Sequence, residues 1–412
     1  MGSNQVTAKS LNIRSILKAL LYHQQISRVE LAELTGLTTA TISNLVNELL
    51  SQGLVRENGI EQVISPRVGR PRMTVELIPD ARFAIGVHIG IGEYQIVITD
   101  LLANIVSFTT QKFEVCESAE IVIQEIVTQI DLLIIQSGIS KNLIVGIGVG
   151  ASGLVNVETG VNINAPNLCW QHIPIRDWIH LGTGLPVIVD NNVRLMCLAE
   201  AMFGEGKTDN VMAFVYARVG VGAGLFVNGK LFRGMAAGAG EIGHSIMIPD
   251  GGEKCSCGNH GCLETLVSQN AIIKSAMYLA EANPTGILAQ KFGDCQSNEM
   301  DCVFSAAQDG DEEVLKMLAE KAKYFGIALA NLINILNPNL IVLGGILEQG
   351  EEYFLPEIKK VVNEYSFSHL GDQVRICVSG FGQKTGVIGA SALALSTYFY
   401  DLNEIQEQEK SF

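Results

Sequence analysis

The feature that most constrains this chain is a cluster of three cysteines, Cys255, Cys257 and Cys262, with His244 upstream of it. Three of the nine cysteines fall within eight residues, and this spacing is too tight for a set of disulfides. Glycines between them allow the backbone to fold around a small ion. Three thiolates and one imidazole make a closed tetrahedral zinc site of the structural kind. The sequence therefore predicts one zinc ion, with His260 as the alternative fourth ligand; the competing interpretation is a group of small buried residues.

Polar residues that zinc does not require lie between these ligands. Glu241 precedes His244 by three residues, and Glu264 follows the last cysteine by two. Carboxylates and an imidazole held beside a rigid metal loop suit the hydroxyl groups of a sugar. The full pattern, GEIGH followed by CxCGxxGCLE, resembles the signature of the ROK family, which contains sugar kinases and sugar-responsive repressors. The resemblance implies zinc on the four residues above and sugar contacts from Glu241, His244 and Glu264.

The composition sets limits on the rest of the chain. At 412 residues it is long enough for two or three domains, and 42 glycines suit an α/β protein with glycine-rich turns. No run of 18 or more apolar residues predicts a membrane span, and the N-terminus lacks the pattern of a signal peptide. The six cysteines outside the cluster are scattered, which favours reduced thiols and a cytoplasmic location.

Charge is distributed unevenly along the chain. The formal net charge is −15, yet residues 1–79 hold eight Lys and Arg against six Asp and Glu, net +2, so that the remainder carries −17. A polyanion is therefore expected to bind only at the N-terminal end, because the acidic remainder repels it.

The N-terminal segment has the pattern of a winged helix–turn–helix. An amphipathic helix is predicted from Asn12 to Tyr22. Ser27 and Glu30 have the spacing of a capping box at the start of a second helix, which is expected to end at Gly36. These signals place three short helices and a wing in residues 1–79.

The third predicted helix is the candidate DNA-reading element. Thr38 caps it, and its apolar stripe predicts burial against the other two helices. The opposite face carries short hydrogen-bonding side chains of the kind that read base edges in the major groove. The predicted DNA-binding residues on this element are Thr38, Thr39, Thr41, Ser43, Asn44 and Asn47.

Two predicted strands, 54–57 and 73–77, form the wing, and an arginine-rich loop joins them. Gly-Arg-Pro at Arg70 resembles the extended element by which some proteins place arginine in the minor groove, and Arg67 and Arg72 are predicted to reach phosphates. The alternative is that a helix–turn–helix of this size serves only protein contacts. Three arginines within six residues favour DNA, and this segment resembles the N-terminal domain of ROK-type repressors.

Beyond the wing, alternating strands, helices and glycine turns predict an α/β region. The order of elements resembles an actin-like (ribonuclease H-like) two-lobed sugar-kinase fold. The expected domains are 1–79 for DNA binding, 80–192 for a first lobe completed by a C-terminal helix at about 386–400, and 193–385 for a second lobe with the zinc loop. A ligand is expected in a cleft between the lobes.

The kinase chemistry of that fold is altered at both phosphate loops. A sugar kinase needs loops of backbone N–H groups around the phosphates, a metal, and a carboxylate that takes the hydroxyl proton. In ROK kinases the first loop reads Asp-x-Gly-Gly-Thr-Lys, whereas here His88 replaces the aspartate and Glu93, which would repel a triphosphate, ends the loop. The second loop, Gly-Thr-Gly-x-Gly in the family, has Val219 in place of threonine.

The catalytic base is altered as well, because Asn192 stands where the family places its aspartate. A carboxamide holds a sugar hydroxyl but cannot accept a proton near neutral pH, and loss of one base removes a factor of roughly 10²–10⁴ in rate. Asn191 and Asn192 are therefore predicted to bind sugar; the alternative is a turn after a strand. In a match to the family's Ala-Pro-Asn-Leu-x-Trp, Asn167 is a weaker sugar candidate, and Trp170 is either core or a stacking surface.

Together these patterns predict a sugar-responsive transcriptional repressor with no catalytic residue. It is expected to bind operator DNA as a homodimer or homotetramer, a monosaccharide effector, and zinc. A rival interpretation is an ATP-dependent sugar kinase with a DNA-binding head, which Asn192 and the two altered loops disfavour. Another is a repressor controlled by a membrane sugar transporter.

Overall fold

The computed structural model describes residues 2–60, 73–235, 238–294 and 298–400, with the backbone alone at residues 2–7, 59 and 60. The chain divides into two compact units. The first is Met1–Leu195 with the C-terminal segment that begins at Gly386, and the second is Met196–Thr385. No helix in these described ranges is long and apolar enough to cross a lipid bilayer.

The first unit opens with a winged helix–turn–helix, so this prediction is confirmed. Ser27 and Glu30 make both bonds of the capping box, and Gly36 ends the second helix in the left-handed conformation at φ 69°. The first helix starts ten residues before Asn12, because the residues ahead of that point lack the apolar stripe on which the prediction relied. The elements are α1 (Gly2–His23), β1 (Ile26–Ser27), α2 (Arg28–Thr35), α3 (Thr39–Ser51), β2 (Val55–Ile60) and β3 (Met73–Leu77), with strand order β1-β3-β2.

A hydrogen-bond network on the wing sheet centres on Glu76, which is 8% exposed. Its carboxylate accepts from Asn58 at 2.9 Å, from Arg56 at 2.5 Å and from Gln25 at 2.8 Å. Burial acts to raise the pKa of Glu76, but the hydrogen bonds from Asn58, Arg56 and Gln25 outweigh it and hold that pKa below its usual value of 4.5. The ionised carboxylate therefore joins β2 and β3 to the turn before β1.

We expect Glu76→Gln to destabilise the winged helix by about 1–3 kcal/mol at neutral pH, because a carboxamide offers one acceptor oxygen to three donors. Because the pKa of Glu76 is lower in the folded protein than in the unfolded chain, its carboxylate stabilises the fold fully at pH values above the unfolded-state pKa. This stabilisation is lost as the pH falls through the folded-state pKa. The difference in unfolding free energy between wild type and variant should therefore be largest near pH 7 and shrink below about pH 4.5. Thermal unfolding across this pH range measures it, and a difference that grows on acidification would contradict the assignment.

The remainder of the first unit is built on a five-stranded mixed sheet of the predicted kind. The elements are β4 (Phe83–Ile89), β5 (Glu93–Asp100), β6 (Ile105–Lys112), α4 (Ala119–Ser137), β7 (Ile144–Ala151), β8 (Leu154–Asn156), β9 (Val161–Ala165), β10 (Trp170–Ile173), α5 (Ile175–Thr183), β11 (Val187–Asn191) and α6 (Asn192–Phe203), which continues into the second unit. The strand order in the sheet is β11-β7-β4-β5-β6, with β4 parallel to β7 and antiparallel to β5.

The C-terminal helix, Thr385–Leu395, packs directly on this sheet and continues as a π-helical turn, Ser396–Tyr400. Glycines in the sheet make this close approach possible. A Cβ on Gly86 would meet the backbone oxygen of Val387, and one on Gly148 would meet that of Ala390. The glycine-rich strands are therefore explained by helix–sheet packing.

The second unit repeats the architecture of the first sheet. The elements are β12 (Val211–Ala217), β13 (Val221–Val227), β14 (Lys230–Phe232), α7 (Leu263–Val267), α8 (Gln269–Ala282), α9 (Ile287–Gly293), α10 (Glu299–Gln308), α11 (Glu312–Leu336), β15 (Leu340–Gly345), α12 (Ile346–Gln349), α13 (Glu351–Tyr365), α14 (Leu370–Gln373) and β16 (Arg375–Val378). The strand order is β14-β13-β12-β15-β16. The zinc loop, which is the segment 244–262 with the predicted zinc ligands, lies between β14 and α7.

The expectation of reduced thiols outside the cysteine cluster is wrong. Cys116 and Cys169 form a disulfide with a Cα–Cα distance of 4.9 Å across 53 residues of sequence, and Cys302 is also disulfide-bonded. Cys197 and Cys377 are free thiols. The pair forms because the loop after β6 lies against the turn before β10, where Trp170 Nε1 donates to the Glu117 carbonyl at 3.0 Å.

Candidate functional site

The exposed face of α3 carries the predicted DNA-reading side chains. Thr39, Asn44 and Asn47 are exposed, while Thr41 and Ser43 are half-buried. The hydroxyl of Thr38 accepts the Thr41 N–H and is 2.9 Å from the Thr41 hydroxyl, so both residues also cap the helix. The opposite face is buried, because Ile42 and Val46 are fully buried and Leu49 is 1% exposed. This burial fixes the rotation of α3 about its axis, so that the polar face points to solvent.

The three wing arginines predicted to bind DNA, Arg67, Arg70 and Arg72, lie outside the described residues. The sheet that carries their loop is described, because β2 and β3 pair antiparallel from Val55–Leu77 to Ile60–Met73. Their contacts with DNA stay predictions.

The structure brings the predicted zinc ligands together. One ligand atom from each of His244, Cys255, Cys257 and Cys262 lies within 4.8 Å of the other three. Cys255 Sγ is 3.6 Å from His244 Nδ1, and Cys257 Sγ is 3.7 Å from Cys262 Sγ. Tetrahedral zinc with bonds of about 2.3 Å to sulfur and about 2.0 Å to nitrogen places its ligand atoms roughly 3.5–3.8 Å apart. Both of these separations match that range, so the group suits the ion. The alternative ligand His260 is exposed and does not belong to the group.

Two thiols of this group have opposite pKa shifts. Burial raises the pKa of the Cys262 thiol to about 12, whereas a backbone hydrogen bond from Asn259 lowers the pKa of Cys257. A bound metal would supply the positive charge that stabilises thiolates at these sulfurs. The local backbone suits this role, because Cys255 N–H donates to the Asn259 carbonyl at 2.7 Å and closes the turn between the ligands.

The two predicted sugar-binding carboxylates, Glu241 and Glu264, flank the zinc loop on either side. Glu241 is exposed and directly precedes the short helix Ile242–His244. Its carboxylate makes no hydrogen bond within the described part of the chain. Glu264, in the first turn of α7, is half-buried, and its Oε1 is 4.0 Å from Cys255 Sγ. The zinc loop therefore sets the positions of both carboxylates.

Glu264 has a second contact that sequence reasoning did not foresee. Its Oε2 accepts the N–H of Val221 at 3.0 Å, in the turn between β12 and β13. This turn is the counterpart of the second phosphate loop, and a Cβ on Gly220 would lie 3.1 Å from the same oxygen. The Glu264 carboxylate therefore joins the first turn of α7 to this turn.

The predicted sugar residues Asn191 and Asn192 both make local hydrogen bonds. The Asn191 side chain accepts the N–H groups of Val193 at 2.9 Å and Arg194 at 3.2 Å, and donates to the Gly153 carbonyl at 2.9 Å. Asn192 accepts the Val193 N–H at 2.9 Å and donates to the Ser152 hydroxyl at 3.2 Å. The strand β11 passes directly into the helix α6 here, without the turn of the alternative interpretation, and the sugar contact stays a prediction.

A buried ion pair behind these asparagines was missed. Asp190 is 0% exposed and Arg194 is 3% exposed, with 2.7 Å between carboxylate and guanidinium. Asp190 also accepts the Asn191 N–H at 2.7 Å, so the pair holds the junction between β11 and α6. Breaking such a buried pair by removing one partner typically costs 3–5 kcal/mol. The sequence does contain a signal for this ion pair, because Asp190 and Arg194 are four positions apart at the end of a predicted strand.

Three further positions from the sequence analysis are Asn167, Trp170 and His88. Asn167 is exposed in the short helix before Cys169. Trp170 is 3% exposed and stacks on Phe113, so it belongs to the core. His88, at the position of the first kinase loop's aspartate, is buried against Gly386.

A winged helix–turn–helix joined to a sugar-kinase fold defines a DNA-binding regulator that responds to a sugar. The family model named ROK family matches residues 84–397, and a winged helix-turn-helix DNA-binding model matches residues 10–56. The chain therefore belongs to the ROK family.

Known proteins similar to this chain include repressors and kinases. The xylose repressor of Caldicellulosiruptor bescii is 30% identical over 396 residues, 95% of this chain and 97% of that protein. A glucokinase of Halalkalibacterium halodurans is 36% identical over 254 residues, 62% of this chain and 77% of that enzyme. A solved ROK family transcriptional regulator, a homologue of the Escherichia coli Mlc protein, matches with a TM-score of 0.78 at 26% identity and covers 94% of this chain and 97% of its own.

Proposed function

We propose that this repressor binds a free monosaccharide without phosphorylating it, and that the sugar sets its affinity for operator DNA. The observation that carries the proposal is Asn192, which stands at the position of the family's catalytic aspartate and whose side chain accepts the Val193 N–H at 2.9 Å and donates to the Ser152 hydroxyl at 3.2 Å. A carboxamide cannot take the proton of the sugar hydroxyl, which phosphoryl transfer requires. His88 supports the proposal, because an imidazole replaces the aspartate of the first phosphate loop.

The sugar-binding groups of the second unit are Glu241, His244 and Glu264. With Nδ1 of His244 turned toward Cys255, Nε2 is the ring nitrogen left for a hydroxyl group. Zinc on the four ligands would hold this ring and both carboxylates at fixed positions. In the first unit, Asn167, Asn191 and Asn192 are the proposed contacts. The spare N–H of Asn191 and the exposed amide of Asn167 are the groups available there.

The repressor is proposed to act as a homodimer or homotetramer, because a two-fold operator requires a two-fold protein. The sugar then changes the populations of conformers that differ in operator affinity. Such coupling is typically 1–3 kcal/mol, or roughly 5–150-fold in affinity. The similarity to xylose repressors and to a glucokinase supports xylose and glucose as the first sugars to test.

The experiment measures binding of a DNA duplex, selected by the protein from a random library, with and without xylose, glucose and N-acetylglucosamine at a stated salt concentration. One sugar should change the affinity by roughly 5–150-fold, and Glu241→Gln should abolish that change while leaving sugar-free DNA binding intact. Glu253→Gln is the matched control, since this exposed carboxylate in the same loop pairs with Lys274. Equal loss of the response in both variants would contradict the proposed site, and no response to any sugar in the wild type would contradict the proposed function.

A further inference from the structure

Arg28, the first residue of α2, connects three elements of the DNA-binding domain. Its Nη2 donates to Asn47 Oδ1 on α3 at 2.9 Å and pairs with Glu57 Oε1 on β2 at 2.8 Å. Its Nη1 is 3.5 Å from the Ser43 carbonyl, one turn before Asn47. The side chains of Arg28 and Glu57 are 27% and 37% exposed. The guanidinium is therefore held between the recognition helix and the wing.

This contact determines which way the Asn47 amide faces. Arginine has only donors, so the atom of Asn47 that faces it must be the oxygen. The NH₂ group of Asn47, which is exposed, then points away from the guanidinium. Reading an adenine requires an asparagine to use its oxygen and its nitrogen together, on N6 and N7. Arg28 takes one lone pair of this oxygen and its guanidinium stands on the same side, so the NH₂ group is the part of the Asn47 amide turned toward other partners. That group can donate to a phosphate or to the acceptor edge of guanine.

Asn44 gives an internal comparison on the same face of α3. It is exposed, and within the described residues its side chain makes no hydrogen bond. Both atoms of its amide are therefore available for a bidentate contact with adenine. Two asparagines three residues apart thus differ in what they can read, and the difference comes from Arg28.

We propose that Arg28 is a positioning residue that presents the Asn47 amide to DNA as a hydrogen-bond donor and so sets the base preference at that contact. The proposal rests on the DNA-binding function of the winged helix–turn–helix and adds a specificity-determining residue to it. Glu57 contributes by holding the guanidinium beside α3. Arg28 acts through Asn47 and does not itself need to touch DNA.

The test compares base preferences, measured by selection from a random duplex library and by titration of the selected duplex, for wild type, Arg28→Met, Asn47→Ala and the double variant. Arg28→Met should move the preference at one base pair toward adenine by roughly 5- to 150-fold. The affected base pair should be the one that Asn47→Ala also affects. In the double variant the change should equal that of Asn47→Ala alone, because Arg28 acts through Asn47. The preference at the Asn44 contact should stay unchanged.

Two further variants separate positioning from charge and from stability. Arg28→Lys keeps the charge, so it should preserve the salt dependence of binding yet loosen the base preference. Lys9→Gln removes one positive charge and the 2.8 Å pair between α1 and Glu48 of α3, and it should leave the preference unchanged.

If Arg28→Met weakens binding to all duplexes equally and lowers the salt slope by about one, Arg28 is a phosphate contact and the proposal is wrong. Additive effects in the double variant would also overturn it. Failure of the wild type to enrich any duplex would remove the DNA-binding function, and this proposal with it.

Discussion

Replacing Cys262 with serine is expected to release zinc and to destabilise the second unit. Cys262 is 0% exposed and pairs through its backbone with Ile246, so it joins both ends of the zinc loop. Structural zinc contributes about 10–16 kcal/mol in isolated zinc-finger peptides. Because Leu263 N–H also donates to the Ser245 carbonyl at 2.9 Å, we expect a smaller loss here, on the order of 3–5 kcal/mol, or roughly 6–20 °C in Tm.

The measurements are elemental analysis of protein purified without chelator and thermal unfolding. Wild type should hold one zinc per chain, and a strong chelator should lower its Tm toward that of the variant. Cys377→Ser is the matched control, because Cys377 is a free, half-buried cysteine of the same unit outside the cluster. The sugar response should be lost together with zinc, since Glu241, His244 and Glu264 all lie on or beside this loop. Wild-type protein without stoichiometric zinc would contradict the assignment.

The second large effect is the absence of kinase activity. With ATP, Mg²⁺ and the sugar that the protein binds, turnover is expected to fall at least 10²–10⁴-fold below the roughly 1–100 per second of kinases. Asn192 cannot take the hydroxyl proton, and its amide is already bonded to Ser152 and to the Val193 N–H. Val219 replaces the threonine of the second phosphate loop, and Glu93 adds negative charge at the first.

Restoring the base alone is not expected to create a kinase. Asn192→Asp supplies the carboxylate, but His88, Glu93 and Val219 still depart from the two phosphate loops of the kinases, so the triphosphate is still not held. A coupled assay measures product, with a ROK glucokinase in the same assay as the positive control. Wild-type protein should nevertheless bind the sugar, and a rise in its Tm on addition of the sugar measures this binding. Wild-type turnover in the usual kinase range would instead establish the rival interpretation, a sugar kinase with a DNA-binding head.

The elements that were predictable are those encoded by neighbouring residues. The capping box of Ser27 and Glu30 spans three residues, and the zinc ligands Cys255, Cys257 and Cys262 span eight. Hydrogen bonds and metal coordination at such short separations depend on local spacing, which a sequence shows directly. The winged helix–turn–helix and the group of possible metal ligands were therefore predictable, although the first helix begins ten residues earlier than predicted.

The sequence by itself thus determined the class of protein: a winged helix–turn–helix, a Cys and His cluster that could hold a metal, and a sugar-kinase fold. Only the tertiary structure selected His244 over His260, joined Cys116 to Cys169, brought Glu264 onto the Val221 N–H, and placed Arg28 on Asn47. These contacts join residues up to 53 positions apart. They depend on strand pairing and helix packing, which set distance and direction between segments, and no local pattern of residue types contains that geometry.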